Sequence, residues 1–339
     1  MEYFLYEKKT EIIFQNDFRI VFPKEIKKVF LIDKKVYQLF ENKLGKIIDG
    51  ASFFIAASEK NKSLTEVRKI YDFFKKHNVN RSTVIIGIGG GITTDITAFA
   101  ASTYMRGCRL VLIPTTFLAM VDAAIGGKTA INYNGIKNNI GSFYPAGKVI
   151  IVPEFLKTLP EEEMKNGWAE CIKIALIKRS PLFDMLKSKI NIKNIIEKAI
   201  ELKLEICEKD LEDRGERRLL NLGHTFAHIL ESVSKYEISH GTAVSVGIRA
   251  AAKLSLKLGL INVDINEKIN NILNLYNLAG YEDAKYLDAL INKGEFILNQ
   301  DKKAGLKLNI VLFKGFQEVF LKEIDDSKEV LKTLEDFFE

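Results

Sequence analysis

The chain has 339 residues, 47% hydrophobic and 28% charged, with a formal net charge of +6. A chain of this length predicts about two domains, each able to bury its own core. The lysines are spread along the chain, with no arginine-rich arm and no basic run interleaved with aromatics, so no nucleic acid is expected as a partner and the charge supports only a mild preference for small anions. No stretch reaches the roughly 20 apolar residues of a membrane span. The first residues, from Met1 to Lys9, carry acids and no long apolar run, which predicts no signal peptide. The cysteines Cys108, Cys171 and Cys207 form no CxxC pair, which predicts reduced thiols and a cytoplasmic location.

Along the chain, Val29–Asp33, Phe53–Ala56, Thr83–Ile88, Arg109–Pro114 and Val149–Val152 read as buried strands, and Lys62–His77 reads as an amphipathic helix between two of them. Continuous apolar strands alternating with helices predict a parallel sheet covered on both faces. From about Pro160 the glycines thin out, and segments rich in Leu, Ile, Lys and Glu keep a helical period to about Tyr276. Leu306–Leu312 reads as one more strand. The expected fold is therefore an α/β Rossmann-like parallel-sheet domain over residues 1–159, followed by an all-α domain over residues 160–339.

Four motifs carry candidate chemistry. Gly89-Gly90-Gly91 closes a strand and opens a helix, where backbone N–H groups and the helix dipole favour a phosphate or a dinucleotide. Counted from Gly87, the GxGxxG spacing fails at Ile92. Gly126-Gly127-Lys128-Thr129 resembles the end of a P-loop, but Asp122 stands where that motif needs its first glycine, so an ATPase is excluded. What remains there is a glycine-rich polar loop holding Asp122, Lys128 and Lys137. Glu170 and Lys173, three residues apart on an apolar helix, read as an exposed ion pair. Finally Arg217, Asn221, His224 and His228, spaced 4, 3 and 4, predict one polar face on an otherwise apolar helix, with His240 close behind. Such a face is expensive to bury unless something polar opposes it. His224 and His228 could share a metal, or one could bind it while the other handles protons. There is no HExxH motif, and the acid of a two-His, one-carboxylate site would have to come from afar, with Glu170 one candidate among many.

Taken together, these segments resemble the 3-dehydroquinate synthase family. The matching stretches are Gly89–Asp95, Ala101–Gly107, Ile113–Thr116, Val121–Thr129, Gly135–Asn138, Ala169–Lys173, Leu220–Phe226, His240-Gly241 and Asp301–Lys303, in order over nearly the whole chain. The resemblance implies an enzyme that converts a phosphorylated sugar acid, 3-deoxy-D-arabino-heptulosonate 7-phosphate, into 3-dehydroquinate and phosphate. NAD and one divalent metal, Zn2+ or Co2+, are the implied cofactors. The difficult step is loss of the C7 phosphate, which needs an acidic proton at C6; a transient ketone at C5 supplies that acidity.

The same resemblance implies metal ligands Glu170, His224 and His240. It implies catalytic roles for Lys173, Asp213, His228, Arg217 and Asn221, and substrate contacts from Asp122, Lys128, Asn138, Lys203 and Lys302, with Lys303 the alternative to the last. It implies a homodimer in which Arg106 reaches the neighbouring active site. NAD contacts are implied at Asp33, Glu59, Lys62, Gly90, Gly91, Asp95, Thr115, Thr116, Lys137, Phe155 and Thr158. The sequence departs from the family pattern at Asp213, usually Glu, at Thr242, also usually Glu, and at Thr93-Thr94. A sibling sugar-phosphate cyclase and a metal-dependent polyol dehydrogenase are the rival readings.

Overall fold

A computed structural model describes residues 1–5, 8–235, 237–278, 286, 289–294, 308–324 and 327–338. It divides into two compact units, Met1–Met164 with Lys203–Glu212, and Lys165–Leu202 with Asp213–Glu339. No described helix is long and apolar enough to cross a membrane. The three cysteines form no disulfide and are buried.

The strands of the first unit are β1 (Glu2–Leu5), β2 (Lys8–Phe14), β3 (Lys28–Asp33), β4 (Ala51–Ile55), β5 (Val84–Gly89), β6 (Arg109–Pro114), β7 (Lys128–Tyr133), β8 (Ile136–Phe143) and β9 (Lys148–Ile151). Among the described residues, seven of them form one sheet in the order β1-β2-β9-β6-β5-β3-β4. Every pairing in it is parallel except β1 with β2. The sequence expectation of buried strands holds for β3, β5 and β6, where Phe30, Leu31, Ile32, Ile85, Ile86, Ile88, Leu110 and Ile113 are almost wholly withdrawn from solvent, but not for β4, an edge strand whose Phe54 is exposed.

The crossovers are helical. Helix α1 (Lys34–Leu44) starts at Asp33, whose side chain accepts from the N–H groups of Lys35 and Val36. Helix α2 (Leu64–Lys76) is capped by Ser63 and buries Val67, Ile70 and Phe74. Helix α3 (Gly91–Thr103) follows β5 directly, with Gly90 at its N-cap. From β3 the chain runs outward to β4, then returns to β5 on the other side of β3. The order thus reverses between β3 and β5, and a crevice beyond the carboxyl ends of such strands is where open α/β sheets bind ligands.

Strands β7 and β8 form a separate antiparallel hairpin. Asn134 (φ 50°) and Gly135 (φ 79°) both take left-handed backbone between them, which is what a tight hairpin turn demands. The segment from Lys128 onward, read from the sequence as a polar loop, is therefore a hairpin.

In the second unit, helix α4 (Glu161–Ile177, beginning in the first unit) is followed by α5 (Leu182–Lys187) and α6 (Ile192–Lys209, ending in the first unit). Then come α7 (His224–Val233), α8 (His240–Lys257) and α9 (Val263–Leu275). Ala175, Leu176, Phe226, Leu230, Val246, Ala250 and Leu254 form its core. The unit is mostly helical but not all-α. Strand β10 (Leu308–Gly315), expected from residue 306, pairs with β11 (Glu318–Ile324). That hairpin is tied to the helices by Phe313 N–H donating to Ser255 Oγ (3.0 Å) and Gln317 Nε2 donating to the Ala175 carbonyl (2.9 Å).

Candidate functional site

Three side chains of the second unit converge. Glu170 lies mid-helix on α4, while His224 and His240 are the first residues of α7 and α8. Two glycines set these helix starts. Gly223, at φ 79°, turns the chain into α7, and a Cβ there would lie 2.8 Å from the Ile248 nitrogen. Gly241 lets the first turn of α8 sit on α4, since its Cβ would fall 2.5 Å from Asn166 Cα. Asn166 Oδ1 also accepts from the Gly241 N–H at 2.7 Å.

Glu170 Oε1 is 3.2 Å from His240 Nε2 and 3.7 Å from His224 Nε2. One ligand atom from each of the three residues lies within 4.8 Å of the others. The far ring nitrogens face oxygen acceptors: His224 Nδ1 the Leu222 carbonyl at 3.3 Å, and His240 Nδ1 the Glu231 carboxylate at 3.2 Å. His224, with its Nδ1 against a carbonyl, turns an Nε2 lone pair toward Glu170, whereas His240 lies with a carboxylate at each ring nitrogen. Glu170 is fully buried, whereas the imidazoles of His224 and His240 keep 16% and 31% of their surface, so the cluster is open on one side.

Burial would raise the Glu170 carboxyl, but Lys173 and the hydrogen bond from His240 hold it well below the usual range. Lys173 makes an ion pair with Glu170, and both are buried. The expectation of an exposed pair is corrected: α4 is apolar around Glu170, with Ile172, Ile174 and Ala175 also inside, so the pair is enclosed. Burial, reinforced by Lys173, pushes the His224 imidazole down to about 3. His240 also suffers burial, but its hydrogen bonds with Glu170 and Glu231 raise it to about 10. The two carboxylates thus favour a proton on each His240 nitrogen, and the one on Nε2, facing Glu170, stands where a cation would sit. Two imidazole nitrogens and one carboxylate oxygen, drawn from three helices and open on one side, fit a divalent metal that keeps positions for substrate.

The polar stripe of the sequence is not one helical face. Arg217 and Asn221 lie in a 3-10 turn, Glu216–Asn221, and α7 begins only after Gly223. The apolar period runs across the break and conceals it. Arg217 is buried, and Asn221 and His228 are exposed. The His228 ring meets His224 edge-on, with 5.7 Å between centroids. Asp213 takes a left-handed backbone, φ 59°, which an aspartate tolerates better than most residues. Lys302 and Lys303 lie outside the described residues. Glu231, which the sequence reading missed, sits seven residues after His224 and so on the same face of α7.

The first unit gathers a second set at the carboxyl end of its sheet. Gly89 and Gly90 have no room for side chains: their Cβ atoms would fall 2.6 Å from Thr93 and 2.9 Å from Thr116. Close packing of strand, helix and loop therefore requires these glycines, without any left-handed backbone. Gly91 opens α3, and Thr115 N–H donates to the Gly89 carbonyl at 2.9 Å. Buried Lys62 reaches Asp95 Oδ2 and Asn138 Oδ1, each at 2.5 Å. Burial raises the Asp95 carboxyl against the pull of Lys62. Glu59 accepts from Asn132 Nδ2 at 2.8 Å and lies 4.0 Å from Lys137. Thr116 Oγ1 accepts from the Ala119 N–H at the start of a π-helical turn, Ala119–Ala123, that carries Asp122. Lys203, buried, donates to both the Asp122 side chain (2.7 Å) and its carbonyl (2.6 Å).

Other expected site residues lie elsewhere. Asp33 caps α1, and burial raises its carboxyl against the backbone N–H bonds it accepts. Phe155 is buried edge-on to Phe18 and Phe40, and Thr158 donates to its carbonyl at 3.4 Å. Lys128 is exposed at the start of β7. Arg106 is exposed, with Met105, Arg106 and Gly107 at φ 50°, 64° and 120°.

Solved structures share this fold. One is 2-epi-5-epi-valiolone synthase from Streptomyces hygroscopicus with NAD+ and Zn2+ bound; it is 25% identical, with a TM-score of 0.85 over 97% of this chain and 96% of that one. Another is 2-deoxy-scyllo-inosose synthase complexed with carbaglucose-6-phosphate, NAD+ and Co2+; it is 22% identical, with a TM-score of 0.85 over 99% of each chain. A probable glycerol dehydrogenase from Sinorhizobium meliloti shares the fold more distantly, at a TM-score of 0.62 over 92% of this chain and 90% of that one and 14% identity. The fold is thus one that such synthases and a dehydrogenase share, here with a donor set fit for one divalent metal.

Sequence narrows this further. The models described as 3-dehydroquinate synthase N-terminal and C-terminal match residues 52–166 and 167–304. The 3-dehydroquinate synthase of Clostridium tetani is 35% identical over 95% of this chain and 88% of its own length. That of Pyrococcus abyssi is 43% identical over 73% of this chain and 76% of its own. The chain belongs to the 3-dehydroquinate synthase family.

Proposed function

We propose that this chain converts 3-deoxy-D-arabino-heptulosonate 7-phosphate into 3-dehydroquinate and phosphate, a carbon–oxygen lyase reaction that uses NAD and one divalent metal, Zn2+ or Co2+. Family membership supports the reaction, and the convergence of Glu170, His224 and His240 is the observation that carries it. Bound to the chain, the metal would polarise a substrate oxygen while NAD takes and then returns one hydride, so neither is consumed.

The residues divide the remaining work. Glu170, His224 and His240 hold the metal, and Lys173 fixes a positive charge against Glu170 inside the helix packing. Lys128, Lys203, Arg217 and Lys302 answer the carboxylate and phosphate of the substrate, anions that lysine and arginine suit. Asp122, held by Lys203, and Asn138, held by Lys62, are preorganised to meet substrate hydroxyls. His228, which is exposed, takes the proton-handling role, and Asp213 and Asn221 join it in the catalytic set. NAD would lie along Asp33, Glu59, Lys62, Gly90, Gly91, Asp95, Thr115, Thr116 and Lys137, with Phe155 and Thr158 behind them. The proposal keeps a cofactor domain over residues 1–159 and a metal and substrate domain over 160–339, in a homodimer where Arg106 serves the neighbouring site.

Incubation with the heptulosonate phosphate, NAD and Zn2+, with product identified by NMR, tests this. 3-Dehydroquinate with stoichiometric phosphate and no net change at 340 nm is expected. Accumulating NADH would point to a polyol dehydrogenase, and no turnover of this substrate to a sibling cyclase.

A further inference from the structure

We infer that Glu231 is a positioning residue for the metal, fixing the orientation and tautomer of His240. The inference rests on the reading of Glu170, His224 and His240 as ligands. Helix α7 carries His224 at its first residue and Glu231 two turns later on the same face, so one helix supplies both a ligand and the group behind another ligand. The Glu231 side chain is 7% exposed, and a carboxylate is costly to bury unless it is paired. Its Oε1 lies 3.2 Å from His240 Nδ1, while His240 Nε2 lies 3.2 Å from Glu170 Oε1. The imidazole is gripped at both nitrogens, so its ring cannot turn over, and with a metal in place of the proton on Nε2 the remaining proton is the one facing Glu231. His224 is held differently, by a neutral backbone carbonyl. The donor set therefore has one histidine backed by a dipole and one backed by a full negative charge, which makes His240 the stronger donor.

This role is separable from the turn that joins α7 to α8. The turn uses the Glu231 backbone carbonyl, which accepts from Ser234 Oγ at 3.2 Å, and that bond survives any side-chain substitution.

The test uses the full chain and Co2+ alone, titrated against a competing chelator, with affinity and the visible absorption band as readouts. Glu231→Ala is expected to weaken Co2+ binding roughly 10- to 100-fold and to shift the band. Glu231→Gln, whose amide oxygen still accepts from Nδ1–H but carries no charge, should recover the band position and bind severalfold, though less than about tenfold, more weakly than the unaltered chain. Glu231→Ala with unchanged affinity and band would overturn the inference. So would Glu231→Gln as impaired as Glu231→Ala, since an intact acceptor would then count for nothing. Should the alanine variant fail to fold, the glutamine variant decides: affinity and band identical to the unaltered chain overturn it, and a severalfold weaker affinity with the band retained supports it. If the unaltered chain itself takes up no Co2+, the metal reading fails and this inference with it; if it does and Glu231→Ala matches it, only this inference fails.

Discussion

Replacing Gly241 by alanine adds one methyl group where α8 meets α4. The new Cβ would lie 2.5 Å from Asn166 Cα, 2.8 Å from Asn166 Oδ1 and 2.9 Å from Asn166 N. Ordinary carbon contacts begin near 3.5 Å, so the two helices must part locally by roughly 1 Å. Asn166 sits one helical turn before Glu170, and Gly241 directly follows His240, so the separation acts on the distance between two proposed ligands. Overpacking of this kind costs about 1–3 kcal/mol of stability. The strain on the 2.7 Å bond from Gly241 N–H to Asn166 Oδ1 adds about 1 kcal/mol. Loss of the contacts that orient a ligand typically costs about 10- to 100-fold in metal affinity, so Co2+ binding should weaken by roughly that much. Urea unfolding of the metal-free protein gives the first quantity, and chelator competition gives the second. Gly147→Ala is the control, because its Cβ would meet only the Leu110 carbonyl at 3.6 Å. Gly241→Ala with the stability and Co2+ affinity of the unaltered chain would refute the claim that this helix contact sets the ligand geometry.

His224→Ala should fold and bind NAD but lose the metal, with kcat/KM reduced roughly a thousandfold or more; full activity would remove His224 from the ligand set. Asp336 lies between Lys257 (2.7 Å) and Lys253 (2.9 Å), whose hydrogen bonds hold its carboxyl below the ordinary 3.8. A lowered folded value means stability that is present above the unfolded value and lost as pH falls through the folded one. Asp336→Asn should therefore cost about 0.5–1 kcal/mol at pH 7 in urea unfolding, because the pair is partly exposed. That difference should vanish once acid has protonated the folded carboxyl; an equal cost at low pH would mean that packing, not charge, holds the C-terminal helix Ser327–Glu335 there. Gly135→Ala, at φ 79° with nothing within 4 Å of its Cβ, should lose only the backbone penalty of about 1–2 kcal/mol. Gly127→Ala, at φ 74° and 2.9 Å from Pro145, should lose clearly more; equal thermal shifts would contradict the steric argument.

Much of the first unit was legible because its sheet is covered on both faces. Strands β3, β5 and β6 are continuous apolar runs, and α2 shows a clean amphipathic period, so pattern and structure agree. The β7/β8 hairpin was passed over because outward Lys and Asn residues look like loop composition, although Asn134-Gly135 marks its turn. The break at Gly223 could not be read locally. Glycine is tolerated inside helices, and what forbids a side chain is the approach of Gly247 on α8, whose own Cβ would sit 2.1 Å from the Gly223 carbonyl oxygen. Burial of the Glu170–Lys173 pair is likewise a tertiary fact, since an i, i+3 spacing is the same inside and outside a core. The metal set came from family resemblance; spacing alone left Glu170 as one acid among many. Glu231 had a weak sequence signal, its seven-residue distance from His224, which has meaning only once His240 is known to fold back onto that face.

The most direct measurement is X-ray absorption spectroscopy of the chain loaded with one equivalent of Zn2+. The account predicts one tightly held ion with two imidazole nitrogens and further oxygen donors at roughly 2.0–2.1 Å, and loss of that ion in both His224→Ala and His240→Ala. A sulfur-ligated ion, or a histidine signature unchanged in either variant, would contradict it.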